Sequence, residues 1–190
     1  DKNIAARELL VGDRNAIIVA TRVSGYGSDY TTKVTCPTCG ANQEYTFDLN
    51  EAYVHTGVDD EATDITNNED STFDVVLPRT GVTATFKLLN GYDEKRLMDG
   101  ITSDRKRKGS EKTITRQLSS MLVAVNGDSS AQAINYLVNN IPSLDARHLR
   151  LSYRRVAPNI DLTQEFSCDE CDHEQEMEVP LSAEFFWPDR

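Results

Sequence analysis

Hydrophobic residues recur with a helical period near the start of the chain and again from Asp93 onward. Residues 4–27 predict a helix with Asp13 as a capping residue; its apolar face holds Ile17, Ile18, Val19, Val23 and Tyr26. Four more helices are predicted from the spacing of their apolar residues. The first is marked by Leu97, Met98 and Ile101, and the second by Ile114, Leu118, Met121, Leu122 and Val125. The third is marked by Ala131, Ile134, Leu137, Val138 and Ile141, and the fourth by Leu144, Leu149, Leu151 and Val156. Gly127 ends the second of these helices, and Pro142 ends the third.

Apolar and polar residues alternate elsewhere, which predicts three pairs of strands. The paired runs are residues 73–77 and 82–88, residues 30–35 and 44–49, and residues 162–167 and 175–181. The first pair flanks the turn residues 78–81 and predicts a hairpin. Each of the other two pairs flanks a Cys-x-x-Cys sequence, so both of these sequences lie at the tips of predicted hairpins.

The four cysteines form two pairs, Cys36 with Cys39 and Cys168 with Cys171. Redox pairs of the thioredoxin kind place the first cysteine at a helix N-terminus, and no helical pattern follows either pair. Disulfides are typical of secreted proteins, and cysteines so close in sequence close only short loops. The hairpins favour a third interpretation, which is one tetrahedral Zn²⁺ site with four thiolate ligands.

The residues around the cysteines fit this interpretation. Gly40 follows the first pair and suits the left-handed backbone that such a turn commonly needs, and Asp172 takes the same place after the second pair. His173 lies close enough to Cys171 to be an alternative ligand. Four thiolates leave no position open for a catalytic water, so the predicted zinc is structural.

A zinc site shared by the two hairpins would join the front of the chain to its back. The predicted fold class is α+β, with a zinc ribbon built from two Cys-x-x-Cys hairpins at the two ends of the chain. The predicted domains are residues 1–31 for an N-terminal helix, 32–51 and 160–182 for the discontinuous zinc ribbon, 52–159 for an inserted hairpin and helical module, and 183–190 for an aromatic C-terminal tail.

The charge balance narrows the possible functions. Twenty lysines and arginines against thirty-one acidic residues give a net charge of −11 in a chain of 190 residues. Because nucleic-acid-binding surfaces are basic, this balance argues against direct binding of nucleic acid. No run approaches the ~18 apolar residues of a membrane span. No phosphate loop, nucleophile elbow or metalloprotease motif is present, so neither an enzyme nor a small-molecule substrate is expected.

Two basic groups interrupt this acidic background. Arg147, Arg150 and Arg154 share one face of the last predicted helix, and residues 105–108 form a short basic run. Neither group is interleaved with aromatic residues. The simplest interpretation is a loop and a helix face that meets solvent or a partner protein.

Three large aromatic residues, Phe185, Phe186 and Trp187, lie in a row near the end of the sequence. Three consecutive side chains cannot all point to one side of a strand or helix. They therefore either fold back onto the protein's own core or anchor in a neighbouring subunit.

Segments at both ends of the chain resemble one protein family. Near the start they are Leu-Leu-Val-Gly-Asp-Arg-Asn at 9–15, Gly-Tyr-Gly-Ser-Asp-Tyr at 25–30, and the sequence from Val34 through Gly40. Near the end they are the second Cys-x-x-Cys, Val-Pro-Leu at 179–181 and Phe-Phe-Trp-Pro at 185–188. These segments resemble the baseplate hub proteins of T-even-like contractile-tailed bacteriophages. The resemblance covers the first ~50 and the last ~30 residues.

This resemblance implies a structural or assembly protein that contacts other tail baseplate or hub proteins. It also implies a place in the virion tail baseplate, after assembly in the host cytoplasm. Two other functions stay open at this point. One is a zinc-ribbon factor associated with nucleic acid, for which salt-dependent DNA binding is diagnostic. The other is a thiol–disulfide oxidoreductase, for which a thiol of low pKa is diagnostic.

Overall fold

The computed structural model describes residues 5–57, 64–106, 113–181 and 185–186, with the backbone alone for residues 105 and 106. The chain divides into two compact units. We call them the terminal unit, which comprises Gly12–His55 and Asn159–Arg190, and the central unit, which comprises Asp1–Val11 and Thr56–Pro158.

Helices and strands occur in both units, so the fold class is α+β, as predicted. The helices are α1 (Val11–Tyr26), α2 (Gly91–Lys106), α3 (Thr113–Met121), α4 (Ala131–Asn140) and α5 (Ser143–Val156). The strands are β1 (Asp29–Thr35), β2 (Asn42–Asp48), β3 (Tyr53–His55), β4 (Ile65–Asn67), β5 (Thr72–Val76), β6 (Thr83–Lys87), β7 (Leu122–Val125), β8 (Asn159–Asp161), β9 (Thr163–Ser167) and β10 (Glu174–Glu178). Within the described ranges, no helix is both long and apolar enough to cross a membrane.

The central unit is built on an antiparallel sheet with the strand order β4-β5-β6-β7. Its middle strands β5 and β6 are the predicted hairpin, with Phe73 paired to Phe86 in register. Gly81 has φ +68° in the turn and donates its N–H to the carbonyl of Leu77. Helices α4 and α5 also confirm their predictions, and Leu137, Leu149 and Val156 pack in the core that contains Phe86 and Leu118. Leu144 and Leu151, which were also assigned to the apolar pattern of α5, are exposed instead.

The second helix of this region is shorter than its pattern predicted. Helix α3 ends at Met121, and the predicted helical residues from Leu122 to Val125 instead form strand β7. Ala84 pairs with Val125, and Phe86 pairs with Leu122, across a register shift. The sequence Leu-Val-Ala-Val has the composition of a strand, and its apolar spacing fits both periods. Pairing with β6 decided between them.

In the terminal unit, helix α1 begins later than predicted. Residues 5–10 form turns and an isolated bridge, Leu10 with Asn90, and the N–H of Val11 donates to the carbonyl of Leu89. These backbone groups are already paired within the central unit, so the helix begins only at Val11. It ends at Tyr26, and Gly27 follows with φ +85°. Ile17, assigned to the apolar face, is exposed.

The terminal unit contains three two-stranded sheets, β1-β2, β9-β10 and β3-β8. In β1, buried and exposed residues alternate strictly, and the buried set is Tyr30, Thr32 and Val34. These side chains share a core with Phe47 and Phe166 from the other hairpin strands. The guanidinium of Arg22 joins this core: it is 2% exposed and donates to the carbonyls of Gly27 and Asp29.

Candidate metal centre

The turn between β1 and β2 directs the first two cysteines. The N–H of Cys36 donates to the carbonyl of Ala41 (2.8 Å), and the N–H of Gly40 donates to the carbonyl of Cys36 (2.9 Å). Gly40 has φ +75°, in the left-handed region that its sequence position predicted. Cys36 is buried and Cys39 is exposed.

The turn between β9 and β10 repeats this arrangement. The N–H of Cys168 donates to the carbonyl of His173, and the N–H of Asp172 donates to the carbonyl of Cys168, both at 3.0 Å. Asp172 has φ +52°, which confirms its predicted left-handed backbone. Cys168 is buried and Cys171 is exposed. The two turns thus present their sulfur atoms in equivalent ways.

Side chains along the strands hold the two hairpins together. Gln43 makes three hydrogen bonds to the second hairpin. Its amide donates to the carbonyl of Ser167 at 3.1 Å and to the carboxylate of Asp169 at 3.4 Å, and its oxygen accepts the N–H of Asp169 at 3.1 Å. The hydroxyl of Tyr45 donates to the carbonyl of Glu165 at 3.1 Å. These contacts join residues far apart in sequence, and no sequence pattern identified Gln43 in this role.

The four sulfur atoms all lie within 4.8 Å of one another. The Sγ atoms of Cys36 and Cys171 are 3.8 Å apart, and those of Cys39 and Cys168 are 3.7 Å apart. A tetrahedron of thiolates with metal–sulfur bonds of ~2.3 Å has edges of ~3.8 Å. All four cysteines are free. The arrangement therefore fits a metal ion that prefers four thiolate ligands.

Hydrogen bonds and crowding separate the pKa values of these thiols. The pKa of Cys36 is lowered to about 6, chiefly because the N–H of Cys39 donates to its sulfur. The N–H of His173 favours the thiolate of Cys171 in the same way, but desolvation and the neighbouring thiols outweigh it and raise the pKa of Cys171 to about 12. The pKa of Cys39 is also raised, against a hydrogen bond from the N–H of Ala41. The thiolate of Cys36 forms readily here, and a bound cation would favour the thiolates of Cys39 and Cys171.

The lowered pKa of Cys36, taken by itself, would fit a redox-active thiol. Redox-active cysteines combine a low pKa with partial exposure, whereas Cys36 is only 1% exposed. The residues that follow each pair are the strands β2 and β10 rather than a helix. His173, the alternative ligand, lies 3.4 Å from the Gln175 amide and is not part of the cysteine cluster.

The predicted partner-binding arginines lie on α5. Arg147 and Arg154 are exposed, and Arg150 is half-buried with its Nε donating to the carbonyl of Ala146 in the same helix. These arginines belong to the central unit, whereas the cysteines belong to the terminal unit. Of the second basic group, residues 107 and 108 lie outside the described residues.

Two of the three aromatic residues near the C-terminus, Phe185 and Phe186, lie within the described residues. Phe185 is 2% exposed and packs edge-on against Tyr30, with ring centroids 5.2 Å apart. It therefore lies in the protein's own core and is not available to a partner in this conformation. Phe186 is half-buried and contacts Phe185 edge-on. Trp187 lies outside the described residues.

Comparison with known proteins agrees with the resemblance found at the two ends of the chain. Curated proteins and solved structures gave no match. A protein family described as "T4 bacteriophage base plate protein" matches residues 1–187, which is nearly the whole chain. The match includes both hairpins and the whole central unit. The chain belongs to this family of T4 bacteriophage base plate proteins.

Proposed function

We propose that this chain is a structural or assembly protein of the hub region of the baseplate, and that it contains one structural Zn²⁺. Membership in the family supports a baseplate role, a location in the phage tail and contacts with other tail proteins. The cluster of four sulfur atoms within 4.8 Å of one another is the observation that supports the metal site. Cys36, Cys39, Cys168 and Cys171 would be its ligands and would complete a zinc ribbon.

The metal would supply positive charge to the cysteine cluster. Thiolates are the ligands that Zn²⁺ takes in closed structural sites. Four thiolates in contact repel one another, and desolvation together with the neighbouring thiols already raises the pKa values of Cys39 and Cys171. A divalent cation removes this repulsion and would fix the two hairpins against each other. Because no ligand position is left for water, the site would have no catalytic role.

Two groups of residues would make the contacts with other hub proteins. The exposed arginines Arg147 and Arg154, with Arg150 beside them, form a basic face on α5 that suits an acidic partner surface. Phe186 and Trp187 are the aromatic residues that we propose as anchors in a neighbouring subunit, since Phe185 is committed to the core.

The metal site can be tested on protein purified without chelator. Native mass spectrometry should find one zinc per chain in the wild type and none in Cys39→Ser or Cys171→Ser, the two exposed cysteines. Thr38→Ser changes an exposed residue of the same turn and should keep the metal. A folded, zinc-free protein with two disulfides would contradict the proposal.

The baseplate role needs a separate measurement. Cells infected with a phage that lacks this gene should assemble complete baseplates only when the wild-type chain is supplied, as counted by electron microscopy. A tagged chain located in the purified baseplates should lie at the hub. Complete baseplates without the chain, or a tag at the periphery, would exclude the assembly role and the hub position respectively.

A further inference from the structure

An open cavity of about 610 Å³ lies in the central unit. Its lining comes from helices α2 and α3 and from the neighbouring ends of strands β6 and β7. This volume is within the range of ~300–1,000 Å³ that is usual for binding pockets. The family match assigns no role to this cavity.

The lining of the cavity is basic although the protein is acidic. Lys87, Arg96 and Arg116 line it, and Asp93 is the one carboxylate among its lining residues in the described part of the chain. The Asp93 carboxylate lies 2.8 Å from the ammonium of Lys87, which retains two further N–H donors. Arg116 is paired with Asp104 outside the lining, so the three cationic groups and their two carboxylate partners leave one net positive charge at the cavity.

Arg116 is held in place before any ligand arrives. Its Nε and Nη2 donate to the two carboxylate oxygens of Asp104 at 2.6 and 2.7 Å, which fixes the plane of the guanidinium. A side chain at Gly100 would come within 2.7 Å of Nη1, so this glycine leaves the space that the guanidinium occupies. A fixed guanidinium loses little entropy when it forms another hydrogen bond.

Further donors complete the site. Arg96 is exposed on α2, and its guanidinium contacts no carboxylate within the described ranges. The hydroxyls of Thr115 and Ser119 also line the cavity. Leu97 and Leu122 supply an apolar wall. Cationic donors, hydroxyls and a small apolar surface together match a carboxylate carried on a short aliphatic stem, as in glutamate.

We infer that this cavity binds acidic side chains presented by a segment of a partner protein in the baseplate. The inference rests on the proposed function for the statement that the partner is a protein of the tail. The volume and the two leucines favour a peptide segment over an isolated phosphate ion, which needs neither. Bonds between arginine and carboxylate are charge-assisted and directional, so they select acidic residues.

The test uses the full chain in its purified form and a fluorescein-labelled hexaglutamate peptide as the probe. Fluorescence anisotropy should show saturable binding that is about tenfold weaker in Arg96→Glu, because one charge-assisted contact becomes a repulsion. Ser119→Glu should weaken binding similarly, since it places a carboxylate in the cavity. Lys95→Glu is the matched control, because it makes the same charge change at an exposed residue of α2 outside the cavity.

Several outcomes would overturn the inference. Absence of saturable binding would show that the cavity is not a site for acidic peptides. Equal weakening by Lys95→Glu would show that the general charge of the surface binds the peptide. Displacement of the peptide by inorganic phosphate at the same concentration per anionic group would assign the cavity to a small anion. Since this assay measures neither zinc nor baseplates, its failure would leave the proposed function standing, and failure of the proposed function would not alter its result.

Discussion

Thr80 gives two hydrogen bonds to a single oxygen of Asp145, one from its N–H at 3.1 Å and one from its hydroxyl at 2.8 Å. The other oxygen accepts the N–H of Arg79 at 2.8 Å. Asp145 is 0% exposed and lies in the first turn of α5. Its carboxylate therefore joins that helix to the β5–β6 turn, and these bonds replace the water that burial removed.

Asp145→Ala should lower the free energy of unfolding by about 3 kcal/mol, because it leaves the two backbone N–H groups that bond the carboxylate without partners, at ~1–3 kcal/mol each. Urea denaturation followed by circular dichroism measures the difference. Thr80→Val removes only the hydroxyl bond and should cost about 1 kcal/mol. Equal free energies of unfolding for the two variants would show that the backbone N–H bonds to Asp145 contribute little to stability.

Gly57→Ala should destabilise the protein more than the same change at Gly127. Both glycines have φ +81°, so both substitutions carry the left-handed strain of ~1–2 kcal/mol. A side chain at Gly57 would also lie 2.6 Å from the carbonyl oxygen of Val156, whereas none lies within 4 Å at Gly127. Thermal unfolding of the two variants compares them directly, and equal melting temperatures would show that the backbone near Val156 yields without cost.

Asp128→Asn should make stability less dependent on pH in the acid range. The N–H and hydroxyl of Ser130 hold the pKa of Asp128 below its usual value. A carboxyl whose pKa is lower in the folded state stabilises the protein above its unfolded pKa of ~3.9, and this contribution is lost as pH falls through the folded value. Melting temperatures measured from pH 5 to pH 2 should fall less steeply in the variant, with Asp99→Asn as an exposed control. Superimposable pH profiles would exclude Asp128 as a contributor.

Phe185→Ala should lower the free energy of unfolding by about 3–5 kcal/mol, because it leaves a cavity beside Tyr30 in the core of the terminal unit. Differential scanning calorimetry of the isolated chain measures this loss. Phe186→Ala is the adjacent control and should cost less, since Phe186 is only half-buried. An unchanged melting temperature in Phe185→Ala would mean that this ring does not contribute to the core in solution.

Features encoded by local patterns could be predicted from the sequence. The β5–β6 hairpin follows from alternation around a turn, and the left-handed positions of Gly40 and Asp172 follow from what their side chains permit. Helices α4 and α5 were predicted because their apolar residues recur with a helical period and Pro142 separates them. In each case the residues that decide the conformation are close together in the sequence.

Features that depend on distant pairing could not be predicted in this way. Leu122–Val125 carries an apolar spacing that suits both a helix and a strand, and only the free edge of β6 made it β7. The start of α1 was decided by the bridge between Leu10 and Asn90. A sequence period reports the preference of a segment for its own conformation, not the backbone partners that another segment offers.

The candidate sites show the same division. The sequence by itself determined which atoms could bind a metal, because thiol chemistry and the Cys-x-x-Cys spacing are local properties. Only the tertiary structure placed all four sulfur atoms within 4.8 Å and buried Phe185 against Tyr30. It also gathered Lys87, Arg96 and Arg116 around one cavity, although no pattern connects them. Their proximity results from the packing of α2 against α3 and from the ion pair of Asp93 with Lys87, which joins α2 to β6.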